Sequence, residues 1–438
     1  MKKPIKNISQ AKEFLNQIPF FGTQGAAAAK FGLERIRDFM DQAGNPQKKY
    51  AVLHVAGTNG KGSVCHLAAS VLQEAGYRVG LYTSPHLIHF RERFRVNGQP
   101  VDDALIVKWF DQRFWDAREA GLSFFEITTA AAFELFYCSE VDIAVIETGL
   151  GGRLDATNIV QPAATAITTI GLDHTDILGS EISAIAREKA GIIKDGIPVV
   201  LGNISGEADH EIRKIAAERK APVVSISAFK PEHYDEVTRF MHPAFGELNL
   251  ELDLKGEIQS LNAATAAALI ELIAGTFPVK RDHLISGLSH TARNTGLHGR
   301  FERLHPGLDW YFDGAHNEDA VSALMHQVGR ISSGRKKTLV LSMMSDKIKP
   351  EIASKFSQFD EIWYFEGSSV RGASLEAIQK LIPGAEKLTI AENGTPEILD
   401  VLKSELVIFS GSFYFYSHIK QWISTVVQGS GTIFSGNH

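Results

Sequence analysis

Short runs that are apolar at nearly every position alternate with amphipathic stretches along this chain, and that alternation leaves few folds open to it. Ala51 to Ala56, Val79 to Tyr82, Val141 to Ile146, Ala166 to Ile170 and Pro198 to Leu201 read as strands. Continuous apolarity, rather than apolarity at every second position, suits a strand covered on both faces. Such strands separated by helices argue for an α/β fold with a mostly parallel, helix-flanked sheet. Residues 8–48 read as helical, with an alanine run at 26–29, and Ser63 to Ala75 as a helix closed by Gly76. A second series follows residue 296, with strands at Trp310 to Phe312, Thr338 to Leu341, Glu361 to Phe365 and Leu406 to Phe409. The stretches 317–331, 348–357, 374–381 and 396–403 read as the helices between them. The organisation expected is a larger domain over 1–295, a smaller Rossmann-like α/β domain over 296–428 and a loose tail over 429–438. The join falls in the polar stretch Ser289 to Gly299.

Basic residues number 45 and acidic residues 51, a formal net charge of −6. The protein therefore offers no overall attraction for nucleic acid or acidic lipid, and an anionic ligand must be held by a local group of cations, N–H groups or metal. No apolar run is long enough to span a bilayer, and Met1-Lys2-Lys3-Pro4 leads into a polar stretch rather than a signal sequence. A cytoplasmic protein without membrane partners is expected. Cys65 and Cys138 sit among small or apolar residues and read as buried, reduced thiols.

The segment Gly57-Thr58-Asn59-Gly60-Lys61-Gly62-Ser63 follows a strand and opens a helix. Glycines there let backbone N–H groups converge on phosphate oxygens, the helix start adds partial positive charge, and Lys61 adds a full one. Ser63 is placed to reach a metal carried by a nucleotide. The match to the usual phosphate-loop pattern is imperfect, with Val55 at the first glycine position and Gly62 between the lysine and the serine.

Other strands run into polar residues at the same edge. Val79 to Tyr82 leads to Thr83-Ser84, Val141 to Ile146 to Glu147, and Ala166 to Ile170 to Gly171-Leu172-Asp173-His174. In a parallel sheet Ser84, Glu147 and His174 lie beside the phosphate loop, where open α/β sheets bind ligands. A hydroxyl, a carboxylate and one imidazole suit Mg²⁺ completed by water and phosphate better than a zinc cage. The helix Glu181 to Ala190 starts after Ser180 and stops at Gly191. By spacing alone, Lys189 in its last turn is a cation opposing the helix dipole.

Taken together, these motifs resemble the folylpolyglutamate synthase and dihydrofolate synthase group of the Mur ligase superfamily. The matching segments are Gly32-Leu33-Glu34-Arg35-Ile36, His54 to Ser63, Thr83 to Leu87, Glu147 to Asn158, Glu188 to Ile192, Gly299 to Glu302 and Asp313 to Asn317. A weaker echo follows at Ser410 to Tyr414. The resemblance implies a P-loop-type ATPase domain followed by a glutamate ligase domain. It implies ATP and Mg²⁺, with a monovalent cation such as K⁺ in addition, as cofactors. L-glutamate and dihydropteroate or reduced folates are the implied substrates, and a monomer the implied state.

Residue by residue, the resemblance makes Ser84, Glu147 and His174 magnesium ligands and Lys189 a lysine carbamylated by CO₂. Thr58, Asn59, Gly60, Lys61, Gly62 and Ser63 would hold ATP with Asn262, Arg300 and Asp313. Lys61, Lys189 and His316 would be catalytic. Ser123, Phe124, Phe125, Glu126, Leu154, Asp155 and Ala156 correspond to the pterin pocket, although simple packing before a helix also accounts for the phenylalanines. His316, Ser412 and Tyr414 correspond to the glutamate side. Glu318, Ile258 and Ile348 depart from the family pattern. A cell-wall Mur ligase and a nucleotide-binding protein that has lost catalysis remain the alternatives, with Leu33 to Ile36 and Arg153 to Ala156 favouring the folate type.

Overall fold

Eight strands form the first sheet, in the order β4-β3-β2-β5-β1-β6-β7-β8. The computed structural model describes residues 3–18, 32–234, 236–332, 334–367, 369–391, 394–402 and 406–429. The strands are β1 (Ala51–Ala56), β2 (Val79–Tyr82), β3 (Phe94–Val96), β4 (Gln99–Pro100), β5 (Ile143–Glu147), β6 (Ala164–Ile167), β7 (Val199–Leu201) and β8 (Val223–Ser225). From β2 across to β8 the pairings are parallel, and β3 and β4 add an antiparallel edge. The carboxyl ends of β2, β5, β1 and β6 therefore stand side by side.

Both faces of the central strands are dry. Leu53 and Val55 of β1 join Ile143 and Val145 of β5 in one core with the helix Lys61–Glu74. Val52, Ala144 and Ile146 point the other way, into a core with Phe133 and Phe136 of the helix Phe124–Cys138. This two-sided burial is why the runs lack a polar alternation.

The strand limits differ from the sequence reading where the chain begins to serve the site. β5 starts at Ile143 rather than Val141 and keeps Glu147 as its last residue, and β6 ends at Ile167 rather than Ile170. The helix Ile182–Ala190 is preceded by Glu181, not Ser180, with no side-chain cap. Helices cover Ile8–Asn16 and Glu34–Gln42, with a 3₁₀ turn at Pro46–Lys48 in place of a continued helix. The alanine run at 26–29 and the tail at 430–438 lie outside the described residues. A three-stranded antiparallel sheet, β9 (Glu232–Tyr234), β10 (Val237–His242) and β11 (Gly246–Glu251), had no counterpart in the sequence reading. Its inward residues Phe240, Leu248 and Leu250 extend the core beneath the helix Glu257–Glu271. Cys65 is buried as expected, but Cys138 is exposed: it is the last residue of its helix, beside exposed Tyr137.

Contacts divide the chain into Met1–Leu297 and His298–His438. The second unit holds β12 (Glu302–Arg303), β13 (Trp310–Asp313), β14 (Lys337–Ser342), β15 (Glu361–Tyr364), β16 (Ala385–Lys387) and β17 (Leu406–Gly411). Their order is β12-β13-β17-β14-β15-β16, parallel except for β12. Among the described residues no helix is long and apolar enough to cross a membrane.

One contact sets how closely the phosphate-loop helix is packed. Gly287 in the helix Arg281–Ser289 lies against Val71, where an added Cβ would be 2.4 Å from the Val71 Cα. Ser70 Oγ donates to the Gly287 carbonyl at 2.6 Å. Gly287→Ala should force the helices apart and lower stability by about 1–3 kcal/mol, the range of overpacked cores. A urea midpoint unchanged from the parent protein would contradict this packing.

Candidate active site

Beyond β1 the backbone turns at Gly57 (φ +151°) and Gly60 (φ +84°). A Cβ on Gly57 would lie 1.9 Å from Thr168 Oγ1, and one on Gly60 would lie 2.5 Å from Asn262 Oδ1. Glycine is required at both positions by the backbone and by the side chain that approaches it. The loop is fixed from the end of β6. Thr58 N donates to Thr169 O at 2.8 Å, Asn59 N to Thr169 Oγ1 at 2.9 Å, and Thr168 Oγ1 to Asn59 O at 2.5 Å. Thr58 Oγ1 donates to Gly171 O at 3.1 Å. Thr168 and Thr169 carry no motif of their own; a threonine pair directly after a buried strand is the only trace of this role in the sequence. The helix Lys61–Glu74 has Gly60 as its N-cap, so no side chain occupies its first amides. Those amides and the positive helix end serve the loop.

Two lysines meet at one carbonyl. Lys61 Nζ donates to Gly57 O at 3.0 Å and to Thr58 O at 3.1 Å, and Lys189 Nζ donates to Gly57 O at 2.9 Å. Lys189 is buried. That burial, and then the charge of Lys61, push its pKa down to about 7, against the opposing pull of Asp173, Asp155 and Glu188. A lysine in the last turn of a helix is usually a solvated cation; this one is held where its neutral amine is accessible near pH 7.

On the neighbouring strand, Glu147 closes β5 as a buried carboxylate, and its Oε2 accepts from Ser84 N at 2.9 Å. His174 follows β6 in a left-handed conformation (φ +50°), its amide donating to Asp173 Oδ1 at 2.9 Å. Among the described residues no group of three or more His, Cys, Asp or Glu forms a preformed metal cage. A carboxylate, a hydroxyl and an imidazole are a donor set that fits a hard ion bringing most of its own ligands, such as magnesium carried by nucleotide phosphates.

Asn262 sits in the helix Glu257–Glu271, its Nδ2 donating to Gln259 Oε1 at 2.9 Å while its Oδ1 approaches Gly60. Ile258 does not disturb this placement. Ser123 and Glu126 form a reciprocal helix cap, and Glu126 also pairs with Arg35 at 3.3 Å. Phe124 lies under the Arg93 guanidinium, 5.4 Å from its ring centre, and Phe125 packs on Gly149, where a Cβ would be 2.4 Å from the ring. Asp155 is buried and organises its own loop, while Ala156 is buried beside it and Leu154 is half-buried.

In the second unit, Asp313 Oδ2 accepts from Phe301 N at 2.8 Å and its Oδ1 from Ala315 N at 2.9 Å. Burial raises its pKa, partly offset by Arg300. The Arg300 guanidinium lies 4.9 Å from the centre of the Phe413 ring, and His316 Nδ1 donates to Gly314 O at 2.7 Å. Ser412 N donates to Ser342 O at 2.7 Å, and Tyr414 N to Ser412 Oγ at 3.3 Å. Arg300, Asp313 and His316 are thus gathered around Phe413 and Gly314 within that unit.

The Mur ligase middle domain model matches residues 55–270, and the Mur ligase, glutamate ligase domain model matches residues 299–413. A dihydrofolate synthase/folylpolyglutamate synthase of Bacillus subtilis is 35% identical over 419 residues, 90% of this chain and 95% of the relative. The structure of E. coli FolC in complex with DHPP and ADP matches with TM-score 0.83 and 29% identity, over 96% of this chain and 99% of that one. A bifunctional folylpolyglutamate synthase/dihydrofolate synthase with Mn, AMPPNP and L-glutamate bound matches with TM-score 0.83 and 28% identity, over 97% and 100% of the two chains. The chain belongs to the dihydrofolate synthase/folylpolyglutamate synthase family of Mur ligases.

Gly57→Ala would drive a methyl group into Thr168. Nucleotide binding measured by calorimetry should weaken by about tenfold or more, the equivalent of 1.4 kcal/mol. Unchanged affinity for ADP would show that the loop does not need its close approach to Thr168.

Proposed function

We propose that the protein joins L-glutamate to folate-type carboxylates, cleaving ATP to ADP and phosphate. It converts dihydropteroate to dihydrofolate and lengthens reduced folates by further glutamates. The observation that carries the reading is the meeting of Lys61 and Lys189 on Gly57, beside the Glu147–Ser84 pair, in a chain of this family. It is supported by relatives whose names carry both activities.

The chemistry explains the parts. A carboxylate does not accept an amine at neutral pH, because oxide would have to leave. Its oxygen attacks the γ-phosphorus of ATP, ADP departs, and the resulting acyl phosphate has phosphate as its leaving group. The glutamate amine then attacks the acyl carbon, the C–O bond to phosphate breaks, and one proton is released. Lys61 and the loop amides neutralise charge on the transferring group, so that catalysis is mostly electrostatics and positioning. Ser84, Glu147, His174 and carbamylated Lys189 would hold magnesium, which would supply further charge neutralisation. The carbamate forms when the neutral Lys189 amine attacks CO₂ and loses a proton, which exchanges an ammonium for a hard oxygen donor.

In this reading Asn262, Arg300 and Asp313 contact the nucleotide, and His316, Ser412 and Tyr414 serve the glutamate. Phe124 and Phe125 offer flat faces to the pterin, bordered by Ser123, Glu126, Leu154, Asp155 and Ala156. A monovalent cation such as K⁺ assists. The enzyme works as a cytoplasmic monomer, independent of nucleic acid and membrane.

ADP release is expected with L-glutamate plus dihydropteroate and, separately, plus tetrahydrofolate. No release with either acid, or release with a UDP-sugar peptide instead, would remove the proposal. Lys189→Ala should lower turnover by about a hundredfold or more, with partial rescue by a small added carboxylate. With a pKa of about 7, the neutral amine becomes roughly tenfold more abundant between pH 6 and pH 8. A ¹³C carbamate signal from labelled CO₂ and the rate should rise together over that interval. A rate that instead falls as pH rises through 7 would assign Lys189 a cationic role.

A further inference from the structure

His54 lies on β1 two residues before Ala56, on the face opposite to Leu53 and Val55, and it is completely buried. Its Nε2 is 2.8 Å from Thr157 Oγ1, and Thr157 Oγ1 is 2.5 Å from Asp155 Oδ1. Asp155 Oδ1 also accepts from Thr157 N at 3.0 Å. The other oxygen, Oδ2, accepts from Gly149 N at 2.9 Å and Leu150 N at 2.8 Å. One carboxylate thus fixes both ends of the loop that follows β5, and a histidine on the phosphate-loop strand reaches it through one hydroxyl.

The order of protons along this chain is set by what each group can supply. Burial raises the Asp155 pKa, and the Thr157 hydroxyl and three backbone N–H groups that it receives oppose that rise, so Asp155 serves as the acceptor of the chain. The single Thr157 hydroxyl proton then points to Asp155, and Thr157 Oγ1 must accept from His54 Nε2–H. The reverse order would place the imidazole proton on Nδ1, which is buried and has no partner among the described residues. A buried N–H without an acceptor is rarer and costlier than an unused lone pair. Burial also holds the ring neutral, its pKa pushed down to about 3 with help from Lys194.

We infer that His54 and Thr157 form a positioning relay, His54 Nε2–H to Thr157 Oγ1–H to Asp155, that ties the phosphate-loop strand to the loop Gly149–Ala156 and thereby sets the binding of the folate-type acid. It rests on the ligase reading above, in which Asp155 borders the pterin. His54 and Thr157 touch no substrate in this role; they hold Asp155 as a hydrogen-bond acceptor with its loop closed around it.

The test uses the full-length enzyme with Thr157→Val and His54→Leu, which break the relay, and Thr157→Ser and His54→Gln, which keep a donor near each position. The breaking variants should raise KM for dihydropteroate or tetrahydrofolate about tenfold, the effect of one hydrogen bond to a charged group. ADP affinity should stay at the wild-type value, and the conserving variants should restore KM. Nitrogen NMR of histidine-labelled wild-type protein should show His54 protonated at Nε2 and bare at Nδ1. An unchanged acid KM in Thr157→Val, an equal loss of ADP affinity, or a proton on Nδ1 would overturn the relay. If the wild type turns over no folate-type acid, the ligase reading fails instead, and the NMR result still decides the proton order.

Discussion

The carbonyl oxygen of Gly57 receives the Nζ groups of Lys61 and Lys189 at 3.0 and 2.9 Å, and much of the first unit is arranged to make that convergence possible. Two ammonium groups at one buried carbonyl repel, and burial already disfavours charge, so Lys189 gives up its proton near pH 7. Holding it there requires an immobile helix end. The loop after β5 provides this: Arg153 N donates to Glu188 O at 2.7 Å, and Asn158 Nδ2 donates to Gly191 O at 3.0 Å. Gly191 packs so tightly on Arg153 that a Cβ would lie 2.3 Å from that residue's own. Gly152 of this loop is likewise packed on the helix end, where a Cβ would lie 2.9 Å from the Lys189 carbonyl oxygen, so a loop glycine is tied to a lysine distant in sequence.

The second unit concentrates strain at its own cluster. Phe301 stands at φ +44°, a conformation uncommon for a bulky residue. It is kept there by the Asp313 carboxylate on its amide and by stacking on Tyr311, ring centres 4.9 Å apart. The bend turns Arg300 toward Phe413, and the Phe413 ring fits only because Gly314 has no side chain, a Cβ there lying 2.2 Å from the ring. Backbone strain of this kind persists where surrounding contacts over-determine it.

The sheet was legible because strands buried on both faces leave uninterrupted apolar runs, and the phosphate loop because glycine, lysine and strand-to-helix context coincide. What escaped was information carried by contact. The sheet β9–β11 alternates inward Phe240, Leu248 and Leu250 with outward Arg239, Met241 and Asn249, a weaker signal than continuous apolarity. Thr168 and Thr169 look like strand residues until they bond Asn59. Asp155 was legible as a family position, but not as the carboxylate that closes its own loop. Ser123 and Glu126 show the converse ambiguity, since their spacing is that of a helix capping box, which they form. The exposure of Cys138 was missed because a thiol after apolar residues looks like core, whereas the helix turns it outward in its last turn.

That exposed thiol has a practical consequence. The chain has two cysteines, and Cys65 is sealed in the core, so a maleimide dye should attach at Cys138 alone without any prior mutagenesis. The helix Phe124–Cys138 spans 15 residues, which sets the dye about 20 Å from Phe124 at 1.5 Å per residue. The label would therefore sit at a known distance from the start of that helix, along one continuous element.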